Sequence, residues 1–320
     1  MDTIAILIPV FNEAATLSKL MVELEKNCTL LSNKSPISFQ IIFVDDGSTD
    51  NSVQLIESFS QNSIPIQLIT FSRNFGKEAA ISAGLEAGKK YNAVLIMDAD
   101  LQHPPAFIID LINTYQNENC DMVYAYKENR QKEGLLSRIF SKVFYGLINI
   151  NNRYTIPKNA GDFRILSQEV VNAILKLPEN EKFMKGLYAW VGYKQIGIPY
   201  LPDERKYGKS FFSIWNLLFL SIDGITSFSI TPLRMMSMIG LSISILSVFY
   251  FLFIIFERLF LSTSIPGLTS IFVLVSFFGG VQLICLGIIG EYIGKILMEA
   301  KRRPSYIIKK NMNITKGIVK

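Results

Sequence analysis

The 320-residue chain carries three cysteines and a single histidine, and that scarcity excludes several chemistries. Cys28, Cys120 and Cys285 are far apart and odd in number, so they outline neither a disulfide framework nor a zinc motif and read as packing residues. His103 leaves a Ser-His triad or a zinc hydrolase little to build on. Followed by Pro104 and Pro105, it reads as packing or the start of a helix. Two phosphate loops are missing as well. After the first apolar run the chain reads Pro9-Val10-Phe11-Asn12-Glu13 where a dinucleotide site needs G-x-G-x-x-G, and no G-x-x-x-x-G-K-[ST] occurs. Dinucleotide oxidoreductases and P-loop hydrolases are set aside. The net charge of +5 says little alone, although basic residues beside a membrane favour anionic head groups. No nucleic-acid partner is expected.

Charge is the other absence. From Met235 to Gly290 only Glu257 and Arg258 are charged. The uncharged run Met235 to Phe256 matches the roughly 20 apolar residues a helix needs to cross a hydrocarbon core. Pro266 and Gly267 read as a turn, and Ser270 to Gly290 as a second span. Lys295, Lys301, Arg302 and Arg303 follow, whereas the loop between spans is nearly free of positive charge. The positive-inside rule then places both chain ends in the cytoplasm. Met1 to Val10 has an acidic Asp2 and no basic n-region, so no cleavable signal is expected. The expected organisation is a water-facing domain over residues 1–210, an amphipathic juxtamembrane segment over 211–232, two transmembrane helices over 233–296 and a basic cytosolic tail over 297–320.

What is present begins with short β-branched runs, Ile4 to Val10, Gln40 to Val44, Ile66 to Phe71 and Ala93 to Met97, separated by segments with helical spacing such as Leu17, Leu20, Met21 and Leu24. Strands alternating with helices predict an α/β fold with a mostly parallel sheet. Ligands of such sheets bind beyond the carboxyl ends of the strands. Each of these ends is polar: Pro9, Asn12 and Glu13; Asp45, Asp46, Gly47, Ser48 and Asp50; Ser72, Arg73, Asn74 and Lys77; Asp98, Asp100 and Gln102. Helix capping explains Ser48 and Asp50 equally well.

Asp98-Ala99-Asp100-Leu101-Gln102 is the sharpest local signal. In an extended segment both carboxylates point to one side, and hard oxygen donors suit Mg²⁺ or Mn²⁺ bridged to substrate phosphates. Two further stretches, Leu135 to Leu147 with Arg138 and Lys142, and Phe211 to Phe228 with Trp215, suit either a bilayer surface or core helices. Gly290 and Gly294 stand at G-x-x-x-G spacing, for close packing within one chain or in a homo-oligomer.

Ile8-Pro9-Val10-Phe11-Asn12-Glu13, Val44-Asp45-Asp46-Gly47-Ser48-Thr49-Asp50, Ser72-Arg73-Asn74-Phe75-Gly76-Lys77 and Asp98 to Gln102 together resemble family 2 glycosyltransferases with the Rossmann-like GT-A fold. Gly161-Asp162-Phe163-Arg164, Phe183-Met184-Lys185-Gly186, Trp190-Val191-Gly192-Tyr193 and Gly290-Glu291-Tyr292-Ile293-Gly294 extend the likeness to nearly the whole chain. The closer likeness is to polyprenyl-phosphate glycosyltransferases, the group containing dolichol-phosphate mannosyltransferase and the bactoprenol glucosyltransferases. The resemblance implies that Pro9, Phe11, Glu13 and Asp46, with Lys77, line the nucleotide-sugar pocket, Phe11 standing where many relatives have Tyr. It implies that Asp98, Asp100 and Gln102 hold the Mg²⁺ or Mn²⁺ against the diphosphate, and that Arg205 and Lys209 close on the phosphates. Arg164, with Arg130 and Arg138 as alternatives, is the candidate for the acceptor phosphate. The implied reaction is inverting transfer of a sugar, from a UDP-hexose, to polyprenyl (undecaprenyl) phosphate at a bacterial plasma membrane, for cell-envelope glycan or lipopolysaccharide modification. A polysaccharide synthase and a non-catalytic nucleotide-sugar-binding membrane scaffold are the competing readings.

Overall fold

The computed structural model describes residues 2–61, 63–127, 156–157, 160–179, 182–200, 231–260 and 267–314. Arg130, Arg138, Arg205, Lys209 and the apolar stretches 135–147 and 211–228 lie outside them.

The described elements divide into two compact units, one holding all strands with the shorter helices and the other holding two long helices. The first unit opens β1 (Asp2–Val10), α1 (Ala14–Lys34), β2 (Ile37–Asp45), α2 (Ser52–Ser58), β3 (Ile66–Phe71), α3 (Lys77–Gly88), β4 (Ala93–Ile96) and α4 (Ile108–Asn117). It continues with β5 (Met122–Lys127), β6 (Ala160–Ser167), α5 (Gln168–Leu175), α6 (Met184–Trp190), β7 (Gln195–Tyr200) and β8 (Ile308–Ile314). The strands form an 8-stranded sheet in the order β7-β5-β6-β4-β1-β2-β3-β8.

At the centre, β4, β1, β2 and β3 run parallel. β1 is buried on both faces from Ile4 to Ile8, which is why it reads as a continuous apolar run rather than an alternating one. The flanks are mixed: β6 is antiparallel to β4 and β5, and β8 is antiparallel to β3. Successive strands progress outward from β1 to β3, then α3 crosses back to place β4 on the other side of β1. A Cβ on Gly84 of α3 would stand 1.9 Å from Leu7 Cδ1, so a larger residue there would push the crossover helix off β1. The reversal of strand order beside β1 is where an open α/β sheet splits its loops and leaves a crevice.

The segment read as a basic tail departs from that reading. Within it, Ile308–Ile314 is β8, paired along the edge of the sheet from Ile66↔Ile314 to Phe71↔Ile308. Its apolar positions are too sparse for a strand pattern, and only the neighbouring β3 gives Ile314 and Met312 a core to join.

The second unit contains α7 (Thr231–Phe260) and α8 (Leu268–Ala300), of 30 and 33 residues, or about 45 and 50 Å at 1.5 Å per residue. Phe277–Ala300 is long and apolar enough to cross a membrane, and Met236–Tyr250 is a shorter apolar stretch. Leu283, Ile284, Leu286 and Ile289 are all exposed, so the apolar surface of α8 is not confined to one buried stripe. Cys285 Sγ lies 3.7 Å from Met236 Sδ, a soft contact between the two helices.

Candidate active site

The loops after β1 and β2 are tied to each other by short side chains. Asn12, in the left-handed region at φ 56°, accepts from the Thr49 and Asp50 N–H groups at 2.8 and 3.3 Å, while its own N–H donates to Ser48 Oγ. Asp50 accepts from Ala14 N–H, at the start of α1, and from Ser52 N–H, at the start of α2. It caps two helices at once. Although burial opposes it, these bonds hold its carboxyl below the usual range. Glu13 precedes α1, with its N–H donating to Ser52 Oγ. Pro9 is partly buried and Phe11 is 45% exposed on the rim.

Asp46 joins this framework to the loop after β3. Its two carboxylate oxygens accept from Phe75 N–H at 2.6 Å and Gly76 N–H at 2.9 Å. Burial nonetheless pushes its carboxyl up, as it does that of Asp45, whose oxygens accept from Ser48 N–H. Expected to line the nucleotide pocket, Asp46 is buried here as the clamp of the loop beside it. Gly47 is required on two counts: its φ is +73°, and a Cβ would lie 2.6 Å from the Arg73 carbonyl carbon.

That loop delivers Lys77, the first residue of α3, to the centre of the site. Its Nζ stands 2.6 Å from Asp98 Oδ1 and 3.0 Å from Asp162 Oδ2. The side chain of Asp98 is 25% exposed and that of Asp162 only 9%. Burial pulls the Lys77 ammonium down, but the two carboxylates outweigh it and raise it above the ordinary lysine value. Burial pushes Asp162 up, and Lys77, Lys185 and Arg164 together bring it below the usual carboxylate range.

Asp98 and Asp100 do not share an extended segment. β4 ends at Ile96, and residues 98–102 form a turn with Leu101 at φ 59°, a conformation costing on the order of 1–3 kcal/mol for a bulky residue. The same-side expectation from strand alternation fails because the strand stops before the motif. In the turn Asp100 accepts from Gln102 N–H at 3.0 Å and from Gln102 Nε2 at 2.8 Å. His103 accepts from Asp98 N–H through Nδ1 and stacks on Phe163 at 4.6 Å, which is the packing role expected of it.

Arg164 lies in β6, opposite Ile96 and Tyr124. It is 2% exposed, donates to the Gly161 carbonyl at 2.6 Å and packs its guanidinium 3.7 Å from the Tyr188 ring centroid. The position expected to grip an acceptor phosphate is thus below the surface, where its charge stabilises Asp162. β6 is buried on both faces from Asp162 to Leu166; Phe163 and Ile165 join the core cluster, and Arg164, on the alternate side, is covered by Tyr188 of α6. Sequence reasoning passed over Glu78 and Tyr188. Glu78 Oε2 accepts from Met184 N–H at the start of α6; burial, with Asp162 nearby, lifts its carboxyl to about 7. The signal for Glu78 was its place beside Lys77, where an acid in a first helical turn is ordinarily unremarked.

Residues 5–175 match the model of glycosyl transferase family 2. An uncharacterized glycosyltransferase of Synechocystis is 42% identical over 306 residues, covering 95% of this chain and 94% of the relative. The SfII prophage-derived bactoprenol glucosyl transferase of Shigella flexneri is 39% identical over 308 residues, covering 96% and 98%. Putative glycosyltransferase CsbB of Bacillus subtilis is 40% identical over 306 residues, covering 96% and 91%. The family match spans β1 to α5 and contains Lys77, Asp98 and Asp162. On a family model that covers more than half of its length and relatives aligned nearly end to end, the chain belongs to glycosyl transferase family 2.

Proposed function

We propose that this glycosyltransferase moves a hexose from a UDP-sugar to polyprenyl (undecaprenyl) phosphate at the cytoplasmic face of a bacterial plasma membrane, yielding a lipid-linked sugar for envelope glycan or lipopolysaccharide modification. The observation that carries this reading is the end-to-end similarity to a bactoprenol glucosyl transferase. The apolar stretch Phe277–Ala300 supports it, since an enzyme anchored in the bilayer meets its lipid acceptor where that acceptor resides. The basic residues that follow α8 support placing both chain ends in the cytoplasm.

Asp98 and Asp100 offer hard oxygen donors within one turn, and Gln102 adds an amide carbonyl while its nitrogen serves Asp100. That donor set fits Mg²⁺ or Mn²⁺, which take one or two carboxylates and complete their shell with substrate phosphates and water. Bound there, the ion would neutralise charge developing on the diphosphate. Lys77 keeps Asp98 in place and adds a positive charge at the same rim, and Arg205 and Lys209 are assigned to the phosphates. The acceptor phosphate is already anionic at neutral pH, so its oxygen needs no general base. That oxygen forms the new bond to the anomeric carbon as the bond to the nucleoside diphosphate breaks. One displacement inverts the configuration.

Purified full-length protein given a panel of labelled UDP-sugars, undecaprenyl phosphate and Mg²⁺ or Mn²⁺ is expected to form a lipid-linked sugar of inverted anomeric configuration. The Asp98→Ala protein is expected to remain folded and lose turnover. Absence of product across the panel would refute the proposal.

A further inference from the structure

The donor-side loop Ser72–Lys77 is held on one side by Asp46. On its other side it meets a segment far away in sequence and beyond the family match, which ends at residue 175. Tyr306 stacks on Phe71 with ring centroids 5.0 Å apart and planes 10° from parallel. Phe71 meets Phe75 edge-on at 5.8 Å, and the Arg73 guanidinium lies 4.0 Å over the Phe75 ring. A continuous stack therefore runs from Tyr306 into the loop. The backbone adds to it: Ser72 N–H donates to the Ile307 carbonyl at 3.0 Å.

The strand that follows keeps Tyr306 there. β8 pairs with β3 up to Phe71↔Ile308, the last β3 residue before the loop. Thr70 faces Lys310 and Phe71 faces Ile308, so Lys309 is the extra residue of a bulge. Bulges bend an edge and re-aim the side chains beside it. Gln67 Nε2 to Asn311 Oδ1 at 3.0 Å and Lys310 Nζ to Glu57 Oε1 at 2.8 Å fix the strand farther from the loop.

We propose that Tyr306, seated by β8, is a positioning residue for the loop that presents Phe75, Gly76 and Lys77, so the segment following α8 is a working part of the donor site. Assigning the loop to the donor rests on the function proposed above. Loss of the ring leaves Phe71 without its stacked neighbour, and the Phe75 ring is reached through Phe71. Aromatic pairs add enough beyond their buried area to slow opening of such a loop by roughly threefold to tenfold.

The test compares full-length wild type with Tyr306→Ala, Tyr306→Phe and Asn311→Ala by amide hydrogen exchange and by steady-state kinetics. Tyr306→Ala is expected to exchange roughly threefold to tenfold faster over 72–77 with β1 and β2 unchanged, and to raise KM for the UDP-sugar while KM for undecaprenyl phosphate stays put. Tyr306→Phe keeps the ring and is expected to behave as wild type, whereas Asn311→Ala, which loses only the bond to Gln67 at the far end of the strand, is expected to speed exchange near Gln67 and not over 72–77. If Tyr306→Ala unfolds the sheet, Tyr306→Leu, which keeps an apolar side chain, carries the same comparison. Unchanged exchange over 72–77, or equal acceleration across the whole sheet, overturns the proposal. Exchange needs no substrate, so a wild-type enzyme without product would sink the proposed function and leave this test standing.

Discussion

Replacing Lys77 by Met removes the ammonium between Asp98 and Asp162 and keeps most of the side-chain volume. Breaking a fully buried ion pair by deleting one partner costs about 3–5 kcal/mol, whereas an exposed pair is worth under about 1 kcal/mol. Lys77 is 43% exposed while Asp162 is only 9% exposed, and Lys185 and Arg164 still act on Asp162. The expected loss at neutral pH is therefore between those limits, about 2 kcal/mol. At roughly 2–4 °C per kcal/mol for a domain of this size, the full-length protein in detergent should melt about 4–8 °C lower. The sign with pH follows from Asp162, whose folded-state carboxyl is held below its ordinary value of 3.8. Its stabilisation is present above that value and is lost as pH falls through the folded-state pKa. Without Lys77 the carboxyl takes its proton at higher pH, so the gap between wild type and variant is widest near neutrality and narrows on the acid side. Asp162→Asn in the Lys77→Met background should cost less than the two single losses summed, by about 1–2 kcal/mol. Additive losses, or an unchanged melting temperature for Lys77→Met, would refute the bridging role.

Other consequences are as direct. Asp46→Asn replaces one acceptor oxygen by a donor facing a backbone N–H, and should cost about 1–3 kcal/mol with faster hydrogen exchange at Phe75 and Gly76. Gly47→Ala combines positive φ with a 2.6 Å approach to backbone and should destabilise by more than Gly76→Ala, where a Cβ meets nothing within 4 Å and the cost is the backbone strain alone of φ 98° and ψ 155°, a region held essentially by glycine; thermal melts of the two variants make the comparison. Glu78→Gln tests a carboxyl raised from 4.5 to about 7. The folded state holds this proton in a window where the unfolded chain has lost it, so wild-type stability falls as pH rises from about 4.5 to 7. The Gln variant should lack that slope and gain about 1–2 kcal/mol above pH 7, a figure discounted for the water reaching this half-buried group.

The parts of the fold legible in the sequence are those set by local pattern. β1 and β3 are buried apolar runs with the predicted boundaries, give or take a residue or two at the start of β1, and α1 buries Leu17, Leu20, Met21 and Leu24 as spaced. The polar clusters after these strands do gather at one rim, because a parallel arrangement brings like ends together. What the pattern did not disclose depends on contacts distant in sequence. β8 looks like a charged tail until β3 supplies its partner. The burial of Arg164 against Tyr188 was not legible either, because it depends on α6 covering that face of β6. The D-x-D pair looks like strand alternation until the strand ends at Ile96 and Leu101 turns left-handed.

The acidic residues of the rim separate into two kinds by what their oxygens already hold. Asp45, Asp46 and Asp50 accept backbone N–H groups of Ser48, Phe75, Gly76, Ala14 and Ser52. Removing any of them loosens a loop, and their motif builds the walls of the site. Asp98 and Asp162 instead face a side-chain cation delivered from α3, so their charge is balanced by a group that can move. A lysine has rotamers that a backbone amide lacks. On the proposed function, Lys77 would exchange one carboxylate for a phosphate oxygen of the donor while the walls stay fixed. Rigid loops around one adjustable counter-charge are what a site needs if its framework is to be set before the donor arrives and its charge is to be redistributed afterwards.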